Sequence, residues 1–275
     1  MADDKQAPNE FSHLVDAYAP PKIAALIEGA GVRKAHQPII QTLALGIMAG
    51  AFIAFGAVFY TVTITESGLG FGPNRLLGGI VFSLGLILVV IGGAELFTGN
   101  NLIAMAWAEK KVTTAEILKN WGFVYVANFI GALAMALIVH WAGTMDMAAG
   151  AAGDTANAIA TAKVNLSFSE AFFRGILCNT LVCLAVWLSY AAHRVSGKIL
   201  AIIFPVAAFV ALGFEHSIAN MYFLAIAMLQ GADGVTIAGA IANLIPVTIG
   251  NIIGGSVFVA LVYWAVYLRR AEEDK

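Results

Sequence analysis

Charge is what this sequence most lacks: 12% of its 275 residues are Asp, Glu, Lys or Arg, against 60% hydrophobic, and the mean hydropathy is +0.84. So little polar surface cannot clothe a soluble domain of this length, which makes the chain an integral membrane protein. A formal net charge of −2 leaves no basic footprint for a nucleic-acid partner. The two cysteines, Cys178 and Cys183, share one apolar run and suggest neither a disulfide framework nor a metal site, and no cofactor is expected. No cleaved signal peptide is expected either. Residues 1–37 carry Asp3, Asp4, Glu10, Asp16, Glu28, Arg33 and Lys34 in place of a basic and then apolar leader, so the segment is expected to stay, with a short amphipathic helix around Pro21 to Gly29.

What is present is apolar sequence in long blocks. Runs fall at about 39–64, 76–94, 121–143, 172–192, 199–214 and 235–268, most of them near the roughly 20 residues that a spanning helix needs. Six crossings result. Two places break the pattern: 76–94 meets Glu95 to Asn101 before turning apolar again, and 199–214 meets Glu215, His216 and Ser217. As single helices, 76–108 and 199–230 would each run about 50 Å, too long for a hydrocarbon core of about 30 Å. Each is predicted to be interrupted inside the membrane, which is tolerable only where protein or a water-filled cavity satisfies the freed backbone groups.

Arg33, Lys34, Lys110, Lys111, Lys119, Arg194, Lys198, Arg269 and Arg270 fall on one side of this arrangement, with Arg75, Lys163 and Arg174 opposite, so both termini are placed in the cytoplasm. The interruptions also match each other: Gly93-Ala94-Glu95-Leu96-Phe97-Thr98-Gly99-Asn100 aligns with Gly213-Phe214-Glu215-His216-Ser217-Ile218-Ala219-Asn220, and Val126–Gly131 with Ile249–Gly254. The expected fold is therefore all-α, two three-helix halves in an inverted repeat with broken second and fifth helices. Such folds place a substrate path between the paired breaks. The expected divisions are a cytoplasmic segment 1–37, a first repeat 38–143, a periplasmic connecting loop 144–166, a second repeat 167–268 and a tail 269–275.

The stretches Glu95–Asn100, Ile176–Trp187, Gly213–Met221 and Asn243–Gly255 resemble the formate/nitrite transporter family, and its formate channels in particular, with likeness running from the amino-terminal helix to Arg270. The resemblance implies an aquaporin-like fold, a homopentamer in the bacterial inner membrane and one pore per protomer. It places His216 and Thr98 at the pore centre, Leu86, Leu96 and Phe209 near the constrictions with Phe82 beside them, and Lys163 and Asn179 in an electropositive path. Glu95, Asn100, Glu215, Asn220 and Asn243 would support the interrupted segments.

The residue types carry a reading of their own. His216 titrates near neutral pH when unperturbed, and an ionisable group inside a bilayer is a functional candidate by default. Thr98 brings a hydroxyl able to donate to a small anion. Ionised Glu95 and Glu215 would repel an anion, so they are expected to accept hydrogen bonds from backbone N–H groups freed by the breaks. Asn128, Asn179 and Asn251 would do similar work between helices, and Lys163, in a polar stretch, reads from sequence alone as a solvated charge. A bare anion in a narrow apolar passage loses much of its hydration energy, whereas protonating a carboxylate of pKa near 4 at pH 7 costs about 4 kcal/mol. His216 thus suggests a proton donor or electrostatic filter that carries formate or its neutral acid. Nitrite and hydrosulfide are the alternatives within the family; a membrane-embedded enzyme using Glu95, Glu215 and His216 is the alternative outside it, set aside because there is no metal-ligand cluster and no second base.

Overall fold

The computed structural model describes residues 17–269. The acidic residues Asp3 to Asp16 of the amino-terminal segment, and residues 270–275 of the expected tail, lie outside the described residues.

Helix α1 spans Pro20–Ala35, longer than the Pro21–Gly29 helix expected, with Pro at its first positions and Arg33 and Lys34 in its last turn, where cations favour the helix dipole. Its Ile23, Ala24 and Ile27 are buried in a cluster with Leu102, Ile103 and Trp187. The long helices are α2 (Ile39–Ile64), α3 (Phe71–Gly92), α6 (Thr114–Trp141), α8 (Phe168–Ala191) and α11 (Ile237–Gly255), the last continuing through a π-helical segment Ser256–Leu261 into α12 (Val262–Tyr267). Five helical stretches are long and apolar enough to cross a membrane, and large side chains such as Ile40, Phe55, Phe129, Phe173 and Phe258 stand exposed on their outer faces. Such a surface suits lipid or neighbouring apolar helices.

Capping boxes start two of these helices, Thr113 with Glu116 on α6 and Ser167 with Glu170 on α8, so their first N–H groups are satisfied locally. Residues 144–166, expected as a connecting loop, are mostly helical: α7 covers Ala151–Val164. The fold then depends on close backbone contact. A Cβ at Gly50 on α2 would lie 2.0 Å from the Asn128 carbonyl oxygen of α6, and one at Gly250 on α11 would lie 2.3 Å from the Phe172 oxygen of α8. Larger residues there would force these helix pairs apart.

Both expected interruptions are present. Helix α3 ends at Gly93 (φ +82°), and after a non-helical Ala94–Leu96 the chain resumes as α4 (Phe97–Asn100), a 3₁₀ turn (Asn101–Ile103) and α5 (Ala104–Ala108). Helix α9 (Val195–Ala211) ends before Gly213 (φ +72°), and α10 (Ser217–Leu229) starts after a non-helical Phe214–His216. Glycine tolerates the left-handed conformation that each sharp stop uses.

Candidate functional site

The two breaks are held by one hydrogen-bond frame used twice. At the first, the Phe97 N–H donates to Asn128 Oδ1 (2.9 Å), while Asn128 Nδ2 donates to the carbonyls of Gly46 (2.7 Å) and Glu95 (2.9 Å). At the second, the Ser217 N–H donates to Asn251 Oδ1 (2.9 Å), and Asn251 Nδ2 donates to Gly175 (2.8 Å) and Glu215 (2.9 Å). One primary amide, with two acceptor lone pairs and two donors, satisfies one N–H and one carbonyl that the break would leave orphaned and ties them to a carbonyl of a neighbouring unbroken helix. The carboxylates expected to take the freed N–H groups do something else. The amides, whose donors and acceptor both match a broken backbone, perform that task.

Glu95 and Glu215 are instead each tied to a lysine and an asparagine. Lys34 Nζ donates to Glu95 Oε1 (2.6 Å), Asn100 Nδ2 to Glu95 Oε2 (2.7 Å) and to Asn120 Oδ1 (3.0 Å), and Asn120 Nδ2 returns to the Lys34 carbonyl (3.0 Å). Lys163, Glu215, Asn220 and Asn243 repeat the circuit: Lys163 Nζ donates to both Glu215 oxygens (3.0 and 3.1 Å), Asn220 Nδ2 to Glu215 Oε2 (2.6 Å) and Asn243 Oδ1 (2.8 Å), and Asn243 Nδ2 to the Lys163 carbonyl (2.9 Å). Each carboxylate is thereby paired and hydrogen-bonded, the condition for burying a charge. The Lys163 side chain is 13% exposed, on a helix and in an ion pair, so the solvated charge suggested by sequence alone gives way to a paired one. Lys34 and Asn120 were not singled out by sequence. The signal that points to them is the spacing of Asn120 from Asn100, close to that of Asn243 from Asn220 in the matching stretch.

Between the breaks, the Thr98 hydroxyl and His216 Nε2 lie 3.0 Å apart, both residues buried. His216 caps α10: its Nδ1 accepts the Ala219 N–H at 3.1 Å. A nitrogen that accepts carries no hydrogen, so the neutral ring holds its hydrogen on Nε2 and donates to Thr98 Oγ1. That leaves the hydroxyl hydrogen of Thr98 free to turn elsewhere. The Thr98 carbonyl is held too, by Asn179 Nδ2 (3.1 Å) and the Cys183 thiol (3.4 Å); Asn179 Nδ2 also donates to Asn101 Oδ1 and Asn251 O (both 2.7 Å). Asn179 is therefore placed as a strut between the breaks, fully buried.

Two cavities approach this pair from opposite ends. One, of about 170 Å³, is lined by Arg75, Lys163, Arg174 and Glu215 and reaches Phe82, Phe209 and His216. The other, of about 310 Å³, is lined by Lys34, Lys198 and Glu95 and reaches Leu86 and Leu96. The four apolar candidates thus divide between the ends. Phe82 meets Phe209 edge to face at 5.8 Å, and Phe209 stacks at 6.0 Å on the His216 ring. Tyr60 and Phe223 join the first cavity, Tyr60 at 6.3 Å from Phe82, an aromatic wall with no distinguishing mark in an apolar sequence. Polar mouths, apolar narrows and one buried hydroxyl–imidazole pair make a route for a small solute.

Comparison with known proteins decides the family, since the formate/nitrite transporter model matches residues 21–265. The chain belongs to that family. Its relatives include the formate channel FocA of Escherichia coli strain K12, 42% identical over 96% of this chain and 98% of FocA, and the FocA of Haemophilus influenzae, 39% identical over 89% and 93%. Among solved structures, a pentameric formate channel with formate bound superposes with a TM-score of 0.79 at 40% identity, covering 84% of this family member and 98% of that channel. These relatives are channels rather than enzymes. For this transporter the twofold hydrogen-bond frame thus surrounds a passage.

Proposed function

We propose that this protein is a formate channel of the bacterial inner membrane, a homopentamer with one pore per protomer. Each protomer crosses six times as an inverted repeat of two three-helix halves, with both termini cytoplasmic and the Arg75–Lys163 mouth outside. The duplicated frames around Asn128 and Asn251 support the repeat, and the asymmetry of Lys and Arg supports the orientation. The observation that carries the function is the Thr98–His216 pair at 3.0 Å between two cation-lined cavities.

An anion is drawn into either mouth by its cations and meets narrows of Phe82 and Phe209 or of Leu86 and Leu96, where dehydration opposes it. Thr98, whose oxygen is occupied by the His216 Nε2–H, turns its hydroxyl hydrogen to the anion at the middle. A proton-donating ring requires a second hydrogen, on Nδ1, and this breaks its bond with the Ala219 N–H. Transfer of that ring's Nε2 proton to Thr98 Oγ1, concerted with transfer of the threonine hydroxyl proton to formate, yields neutral formic acid and returns the ring to its neutral form. The apolar narrows pass that acid at lower cost than the ion. Uptake of labelled formate and nitrite by protein in liposomes, at several pH values, tests the reading. Formate flux that rises as pH falls is expected, and nitrite flux without formate flux would replace the substrate.

A further inference from the structure

The two mouths share one backbone frame but differ in charge. At the first break the Glu95 N–H donates to the carbonyl of Leu45 (3.2 Å), and at the second the Glu215 N–H donates to the carbonyl of Arg174 (3.3 Å). Leu45 and Arg174 therefore occupy equivalent places. A leucine meets the needs of the frame at one end, so the guanidinium at the other answers to something beyond folding. Arg174 lines the Arg75–Lys163 cavity.

Arg75 is the second cation there. Its Nε donates to the carbonyl of Ala211 and its Nη2 to that of Val210, both at 3.0 Å, which covers the negative end of α9 where it faces the mouth. Two of its five N–H groups are used and three remain. Lys163 is already committed to both oxygens of Glu215. Among the described residues neither Arg75 nor Arg174 lies within ion-pair distance of a carboxylate. The nearest such group to Arg174 in sequence, Glu170 one turn before it, has Oε2 engaged by the Ser167 N–H (2.9 Å) and hydroxyl (2.7 Å). The lining of the mouth holds three cations against one carboxylate, and apart from the field that Arg174 shares with the exposed Glu170, the unpaired charge sits on the two arginines.

We propose that Arg75 and Arg174 form an anion-capture subsite that holds a small monovalent oxyanion, a carboxylate such as formate, ahead of the Phe82–Phe209 narrows, and that the other mouth has no equivalent. The subsite rests on the channel reading above. Guanidinium N–H groups match the paired oxygens of a carboxylate, which distinguishes this mouth from one served by Lys34 and Lys198. A held anion raises occupancy at the outer mouth when formate is scarce, so entry from that side saturates at a lower concentration.

The test is labelled-formate flux in liposomes with the protein in one orientation, comparing wild type with Arg174→Leu, the residue that the other mouth carries, and Arg174→Lys. In R174L the half-saturating concentration for entry at the Arg75 side is expected to rise about three- to tenfold, the effect of one partly screened charge. Maximal inward flux is retained, flux at low formate falls by the same factor in both directions as a passive pore requires, and R174K, which keeps the charge but loses the paired N–H groups, falls between wild type and R174L. Wild-type half-saturation in R174L, or R174K indistinguishable from wild type, overturns the subsite. Wild-type protein that passes no formate overturns the channel reading instead.

Discussion

The histidine and threonine at the centre make separable predictions because their hydrogen bonds are directional. Thr98→Val keeps shape but removes the acceptor of the His216 Nε2–H and the donor offered to the solute. A donor left unsatisfied costs about 1–3 kcal/mol, so formate flux is expected to fall roughly tenfold or more while assembly by size exclusion is unchanged. Unaltered flux would assign Thr98 a packing role only. His216→Asn is sharper. An asparagine can still accept the Ala219 N–H as a helix cap and still donate toward Thr98, but it cannot titrate. Flux and current measured in the same liposomes are expected to show loss of pH-dependent formic acid movement with residual anion leak. Intact pH dependence would falsify the proton transfer through His216.

At the scale of elements, the breaks were legible because polar residues interrupt apolar runs too long for one crossing, and because Gly93–Asn100 and Gly213–Asn220 echo each other. Less legible was which polar group would serve the freed backbone. Sequence pointed to Glu95 and Glu215, but a carboxylate only accepts, and each break offers carbonyls as well as an N–H. The amides of Asn128 and Asn251 serve both, from helices more than thirty residues downstream. The circuit of Lys34 with Asn120 was hidden for a different reason: ion pairs 61 residues apart carry no local period. Asn128→Leu is therefore predicted to orphan the Phe97 N–H and the Glu95 carbonyl at once and to cost several kcal/mol at about 1–3 each, a loss read as a lower midpoint for thermal dissociation of the oligomer. Asn251→Leu should match it, since its contacts are the same. A large difference between the two variants would show that the repeated frame is not repeated in energy.

For the whole molecule, the testable matter is topology. Asp154, on the exposed face of α7, and Lys119, exposed on α6, lie on opposite sides of the membrane in the proposed arrangement. Asp154→Cys is expected to react with an impermeant thiol reagent added to cells from outside, and Lys119→Cys only after permeabilisation; the native Cys178 and Cys183 are buried and serve as a silent background. Labelling of both from one side would remove the six-crossing arrangement.

The lysine partners of the two buried carboxylates also bear on the order in which the chain is made. Lys34 precedes Glu95 by 61 residues and Lys163 precedes Glu215 by 52, so each cation has left the ribosome before the acid that needs it. Each carboxylate can enter the bilayer with its lysine already made. The asparagine that completes each break arrives later, on α6 or α11. Synthesis thus delivers the partner of the expensive charge first and the partner of the broken backbone last.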